Sequence, residues 1–147
     1  LKQALAEWQP KRAVIVGGGY IGLEMAEALH LRGLKITMIQ RSAQVMSTLD
    51  LDMGERLGQA LREQGIELRV NETVQGFDHQ GGLAVAVATD KETIPADLII
   101  LGLGVAPNSD LAKEAGIPLG PKGSIRVNDL QQTETANIWA AGDYLPR

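Results

Sequence analysis

Short apolar runs alternate with helix-forming segments along the first 70 residues. Three runs have the length and composition of buried strands: Ala13–Val16, Leu34–Ile39 and Ile66–Val70. Helical spacing of apolar residues precedes and separates them, at Leu1–Trp8, from Tyr20 to about Leu31, and at Met53, Leu57, Ala60 and Leu61. Pro10, Gly33 and Gly65 mark the ends of these helices. The alternation predicts parallel strands joined by right-handed crossovers.

The pattern changes beyond residue 72. Residues 73–78, 83–89 and 92–95 are predicted as short strands of an antiparallel meander. A buried strand at Leu98–Leu101, a helix near Ser109–Ala115 and strands near Ile125–Val127 and at Ile138–Ala141 complete the prediction. We expect an α/β fold in a single domain of residues 1–147. It is a Rossmann-like parallel sheet with helices on both faces and an antiparallel three-stranded β-meander crossover.

Composition excludes several classes of protein. The 147 residues include no Cys and only two His, so we predict no disulfide, no thiol nucleophile and no metal site. A net charge of −4 without basic runs argues against a nucleic-acid partner. No apolar run approaches the roughly 18 residues of a membrane span, so no membrane partner is predicted. Because no targeting signal is visible, the expected location is the cytoplasm.

The segment Gly17–Gly22 reads Gly-Gly-Gly-Tyr-Ile-Gly and matches the pattern G-x-G-x-x-G. It follows a predicted strand and opens a predicted helix, which is the context that dinucleotide binding requires. Gly17 permits a tight turn, Gly19 lets a pyrophosphate approach the backbone, and Gly22 allows close packing of helix and strand. We therefore expect Gly17, Gly18, Gly19, Tyr20, Ile21 and Gly22 to contact a dinucleotide. The alternative is a glycine-rich turn without a ligand.

The end of the second predicted strand distinguishes NADH from NADPH. NAD-binding proteins usually place an acidic residue there for the ribose 2′-hydroxyl, whereas NADP-binding proteins use Arg for the 2′-phosphate. Here the sequence is Ile39-Gln40-Arg41-Ser42, so we predict NADPH, with contacts from Gln40 and Arg41. Gly22 argues weakly for NADH, and use of both cofactors stays open. The alternative for Arg41 is a solvated loop residue.

Two other classes that use a glycine loop are less compatible with the sequence. Short-chain dehydrogenases need Tyr-x-x-x-Lys, but neither Tyr20 nor Tyr144 is followed by Lys four residues later. Two-domain hydroxyacid dehydrogenases need a catalytic His. His30 lies in a predicted helix and His79 in a predicted meander turn, where surface or packing roles are expected.

The chain resembles the NAD(P)H-binding domain of the FAD-dependent pyridine nucleotide-disulfide oxidoreductases. Three segments carry the resemblance: the glycine-loop segment Val14–Glu27, Leu101–Asn108, and Thr133–Asp143, which is similar to the family's second flavin motif. The meander in place of a crossover helix is also similar. Within the family, Ile39–Ser42 looks most like coenzyme A-disulfide reductases and NADH oxidases. Ala106 departs from the Arg often found there.

The resemblance implies roles for individual residues. Tyr20 would lie where the nicotinamide and flavin stack. Glu24 would bond the carboxamide or pair with a Lys of the flavin domain, and both residues would be catalytic. Gly104 would contact the cofactor, and Asp143 would bond the flavin ribityl chain. The bland alternatives are packing for Tyr20, a surface carboxylate for Glu24 and a turn residue for Asp143.

The resemblance also implies that hydride passes from NADPH or NADH to FAD, and electrons then to a coenzyme A-type disulfide or oxygen. The chain would be an excised central fragment of a longer homodimeric flavoprotein, flanked by an FAD domain and inactive in isolation. The same domain also occurs in ferredoxin, rubredoxin and nitrite reductases. A non-catalytic NAD(P) sensor is a further alternative.

Overall fold

The computed structural model describes residues 1–142. Four α-helices and a short 3₁₀ helix at Pro121–Gly123 are formed; the α-helices are α1 (Lys2–Trp8), α2 (Tyr20–His30), α3 (Leu51–Glu63) and α4 (Asp110–Glu114). The strands are β1 (Arg12–Val16), β2 (Lys35–Gln40), β3 (Glu67–Val70), β4 (Val74–Gln80), β5 (Leu83–Thr89), β6 (Thr93–Pro95) and β7 (Leu98–Leu101). None of the helices in this part of the chain is long and apolar enough to cross a membrane.

The predicted parallel sheet is confirmed, with strand order β3-β2-β1-β7. Strand β1 lies between β2 and β7, and all three pairings in the sheet are parallel. The carboxyl ends of β1 and β2 therefore lie side by side, with Val16 opposite Ile39. This register places the glycine loop beside Gln40 and Arg41, which is the arrangement that a dinucleotide site requires.

The two faces of the parallel sheet are covered differently. On one face, α1, α2 and α3 pack over a cluster that includes Ile15 and Met38. On the other face, Val14, Val16 and Ile39 pack against Val87 and other residues of the β4-β5-β6 meander. The α/β fold class is confirmed. It differs from the expectation in that the meander, rather than a helix, covers the second face.

The buried face of α3 agrees only in part with the apolar residues that predict it. Leu57 and Leu61 pack against the core cluster, as predicted. Met53 is 50% exposed and Ala60 is also exposed. The buried positions are Gly54 and Gly58, one turn apart. A methyl group on Gly58 would lie 3.3 Å from the Leu68 side chain, so glycine permits the close approach of helix and strand. A search for apolar side chains misses such a contact.

Residues 105–142 belong to a second compact unit that begins at Val105. Helix α4 confirms the helix predicted near Ser109–Ala115. The strands predicted at Ile125–Val127 and Ile138–Ala141 are wrong, because these segments form only isolated bridges: Leu119 with Ile125, Val127 with Thr133, and Gln132 with Trp139. Trp139 is 58% exposed, so its side chain does not have the burial that a core strand would give it.

Candidate functional site

The glycine loop begins in the turn that follows β1. Gly17 has φ +106°, a conformation that strongly favours glycine. A Cβ on Gly17 would overlap the Gly102 carbonyl oxygen, and a Cβ on Gly22 would overlap the Gly17 carbonyl oxygen. Three backbones therefore meet without side chains at this point. Gly102 was not among the predicted site residues. The available signal was its position directly after β7, two residues before Gly104.

The first turn of α2 has backbone N–H groups that no side chain caps. Gly19 is the N-cap and offers no side-chain hydrogen bond to the free N–H groups of the first helical turn. A Cβ on Gly19 would meet no atom within 4 Å. Unbonded N–H groups, the positive end of the helix dipole and open space together suit a phosphate group. These features fit the pyrophosphate of a dinucleotide.

Gln40 connects the glycine loop to the end of β2. The Gly18 N–H donates to Gln40 Oε1 at 2.8 Å, and Gln40 Nε2 donates to the Ser42 hydroxyl at 2.6 Å. That hydroxyl donates to the Gln44 carbonyl oxygen at 2.9 Å. Gln40 therefore holds two loops together in addition to any contact with a cofactor. Its Oε1 already accepts a hydrogen bond from Gly18, and its Nε2 has one further hydrogen to donate to a ligand oxygen.

Backbone bonds reinforce the same junction. The Gly17 N–H donates to the Ile39 carbonyl oxygen at 2.8 Å, and the Met46 N–H donates to the Gly18 carbonyl oxygen at 2.7 Å. Gly18 is buried, and a Cβ there would lie 2.7 Å from Val45 Cγ1. Residues 17–18 and 39–46 thus form one hydrogen-bonded unit.

Arg41 lies on this unit with its side chain exposed. The guanidinium has no hydrogen bond or ion pair to any of residues 1–142. A fixed backbone and an unpaired side chain leave Arg41 available to an external anion. A planar guanidinium is well suited to a phosphate group.

Tyr20 and Glu24 lie four residues apart on α2, where both are exposed. Tyr20 is 73% exposed and Ile21 is 46% exposed. The structure brings Tyr20, Ile21 and Glu24 together at the start of the helix that follows the glycine loop. Their contacts with cofactors stay a prediction.

Gly104 and Asp143 are the remaining predicted residues. Gly104 ends the first compact unit and has φ +94°, with open space where a side chain would be. Asp143 lies outside the described residues. Among residues 1–142, no group of three or more His, Asp or Glu side chains is arranged to hold a metal ion.

Comparison with known proteins adds the family. The family model for pyridine nucleotide-disulphide oxidoreductases matches residues 2–147. The chain belongs to this family. The NAD(P)H coenzyme A polysulfide/persulfide reductase of Pyrococcus horikoshii is 35% identical over 144 residues, which are 97% of this chain and 32% of that protein. The chain thus spans about a third of the length of the relatives it matches.

Solved structures agree with this assignment. The reduced CoADR-RHD protein of Bacillus anthracis superposes with a TM-score of 0.91 at 35% identity, over 98% of this chain and 26% of that chain. The water-forming NADH oxidase of Lactobacillus brevis, bound to NADH, superposes with a TM-score of 0.86 at 34% identity. The match covers 98% of this chain and 32% of that chain. An engineered mutant of that enzyme, a water-forming NADPH oxidase bound to NADPH, superposes with a TM-score of 0.85 at 37% identity. The match covers 97% of this chain and 32% of that chain.

Proposed function

We propose that this chain binds NADPH in preference to NADH within an FAD-dependent reductase. The observation that carries the proposal is the exposed, unpaired Arg41 on a backbone that Gln40 ties to the glycine loop. At this place in the fold, Arg pairs with a ribose 2′-phosphate and an acidic residue accepts from a 2′-hydroxyl. No acidic residue occurs among residues 39–42.

The two Lactobacillus brevis oxidases support the proposed preference. The form that is bound to NADPH has Ala-Arg-Ser where the form bound to NADH has Asp-Ala-Met. A further substitution, Gly to Ala, lies 18 residues before that Asp. Gly22 stands at the same spacing before Gln40, so Gln40-Arg41-Ser42 correspond to the engineered Ala-Arg-Ser. Gly22 itself keeps the glycine of the NADH-bound form.

The residues of this chain would bind and orient the dinucleotide. The N-terminus of α2 would hold the pyrophosphate, while Arg41 and Gln40 Nε2 would contact the 2′-phosphate. The nicotinamide supplies a hydride and the flavin accepts it. We propose that Tyr20 shields the ring-stacking position and that Glu24 orients the carboxamide, because both side chains are exposed on one face of α2 just after the glycine loop.

We also propose the larger setting in which the chain acts. It is a single NAD(P)H-binding domain of a homodimeric flavoprotein whose flanking FAD domain completes the site. The final acceptor is a coenzyme A-linked disulfide or persulfide, since relatives of this chain are named coenzyme A disulfide reductase and coenzyme A polysulfide/persulfide reductase. Oxygen is the second candidate, and the resemblance to the Lactobacillus oxidases favours it.

Calorimetric titration of the chain with NADPH and NADH, beside Arg41→Ala, tests the proposed preference. A charge-assisted Arg–phosphate bond contributes about 1.5–3 kcal/mol, which is roughly tenfold or more in affinity. We expect Arg41→Ala to lose that factor for NADPH and to leave NADH binding unchanged. Equal binding of both cofactors by the unchanged chain, with no effect of the substitution, would show that Arg41 is only a solvated loop residue.

A further inference from the structure

Glu72 is a buried carboxylate at the junction between β3 and β4. It is 3% exposed, and charged or polar partners surround it. The Thr89 hydroxyl donates to Oε1 at 2.8 Å, Arg69 lies 3.4 Å from the same oxygen, and Lys91 Nζ lies 3.7 Å from Oε2. Thr89 and Lys91 belong to the meander, so Glu72 joins the end of the parallel sheet to the second sheet.

The backbone at Glu72 holds the segment that carries Arg41. The Glu72 N–H donates to the Gln40 carbonyl oxygen at 3.2 Å, and the Asn71 N–H donates to the Ser42 carbonyl oxygen at 3.1 Å. These two acceptors lie on either side of Arg41 in the chain. Asn71 has φ +49°, a strained conformation that needs support from its surroundings.

The turn between β5 and β6 fixes the same junction from the other side. The Asp90 N–H donates to the Thr73 carbonyl oxygen, and the Thr73 N–H donates to Asp90 Oδ1, both at 2.9 Å. Residues 71–73 are therefore hydrogen-bonded to residues 40 and 42 on one side and to the turn between β5 and β6 on the other. The buried Glu72 side chain lies at this junction and contacts Thr89 and Lys91, the residues on either side of Asp90.

We propose that Glu72 is a positioning residue for cofactor selection: it fixes the backbone on both sides of Arg41 so that the guanidinium meets the 2′-phosphate. This inference rests on the proposed role of Arg41. The effect is specific to NADPH because NADH has no 2′-phosphate for Arg41 to bind. A less ordered backbone makes Arg41 lose rotational and backbone freedom on binding, and the affinity for NADPH falls.

The test is Glu72→Gln, which keeps the shape of the side chain and an oxygen that accepts from Thr89. Calorimetric dissociation constants for NADPH and NADH are measured for the unchanged chain, Glu72→Gln, Arg41→Ala and the double variant. We expect Glu72→Gln to weaken NADPH binding about fivefold and NADH binding less than about twofold. In the Arg41→Ala background, Glu72→Gln should have no further effect on NADPH, because its action passes through Arg41.

Asp97→Asn is the control. It breaks an ion pair with Arg12 at the opposite, amino-terminal edge of the sheet. It should therefore lower the melting temperature without changing the ratio of the affinities for NADPH and NADH. If Glu72→Gln does not fold, Lys91→Gln removes one half-exposed partner of Glu72 instead. It should also weaken NADPH binding relative to NADH binding.

Two outcomes would overturn the inference in distinguishable ways. If Arg41→Ala weakens NADPH binding but Glu72→Gln weakens both cofactors equally, or changes only the melting temperature, Glu72 is merely structural and the proposed function survives. Additive losses in the double variant have the same meaning. If Arg41→Ala has no effect on NADPH binding, the proposed preference fails, and the role of Glu72 fails with it.

Discussion

The link that Gln40 makes between the glycine loop and the end of β2 can be measured by removing it. Gln40→Met keeps the length of the side chain and removes both of its hydrogen bonds. The buried Gly18 N–H would lose its partner, at a cost of about 1–3 kcal/mol. The bond to Ser42 contributes about 0.5–1.5 kcal/mol more. We therefore expect a loss of about 1.5–4.5 kcal/mol in the free energy of unfolding.

Thermal denaturation of the ligand-free chain measures this loss. For a domain of about this size, 1 kcal/mol lowers the melting temperature by roughly 2–4 °C, so Gln40→Met should melt about 3–18 °C lower. Gln40→Glu is the matched control, because its carboxylate still accepts from Gly18 and should retain most of the stability. If both variants have the same melting temperature as the unchanged chain, Gln40 does not hold the two loops together.

The same two variants separate stability from cofactor choice. In Gln40→Glu, the new carboxylate accepts from a ribose 2′-hydroxyl and repels a 2′-phosphate, so the preference should move toward NADH. Gln40→Met should weaken both cofactors, because it loosens the glycine loop that holds the pyrophosphate. A Gln40→Glu variant that keeps its NADPH preference would contradict this reasoning.

Two further predictions concern stability. The hydrogen bond and ion pair from Arg12, with the N–H groups of Lys11 and Arg12, lower the pKa of Asp97 from 3.8 to about 2. The stabilisation is therefore complete above pH 4 and is lost as the pH falls toward 2, so the melting curves of Asp97→Asn and the unchanged chain should converge there. Gly22→Ala should lower the melting temperature, because overlap with the Gly17 carbonyl oxygen costs about 1–3 kcal/mol against a helix-propensity gain of about 1 kcal/mol. An unchanged melting temperature would mean that the turn yields.

The sequence predicted the part of the fold that local patterns determine. Strand β1, the turn at Gly17 and helix α2 follow from an apolar run, a glycine pattern and helix-forming residues that agree with one another. The neighbouring position of Gln40 then follows from the parallel pairing of β1 and β2. The resemblance to the family also needed the segments Leu101–Asn108 and Thr133–Asp143, because a glycine loop occurs in several classes of protein.

Contacts made by backbone atoms could not be predicted in the same way. Gly54 and Gly58 are the buried positions of α3, although glycine carries no apolar side chain to indicate a packed face. Gly102 contacts the glycine loop only because β7 pairs with β1 across more than 80 residues of sequence. The bonds of Gln40 were equally invisible, because its sequence position suggested a ligand contact rather than a link between loops.

The surroundings of Arg41 indicate that the proposed preference for NADPH would depend on the whole junction rather than on one side chain. Gln40 fixes the segment from the glycine loop, and the backbone of Asn71 and Glu72 fixes it from β3. The engineered Lactobacillus oxidase carries five substitutions, of which only two introduce Arg. One of the other three removes an acidic residue, so the change of cofactor in that protein involved more than an added guanidinium.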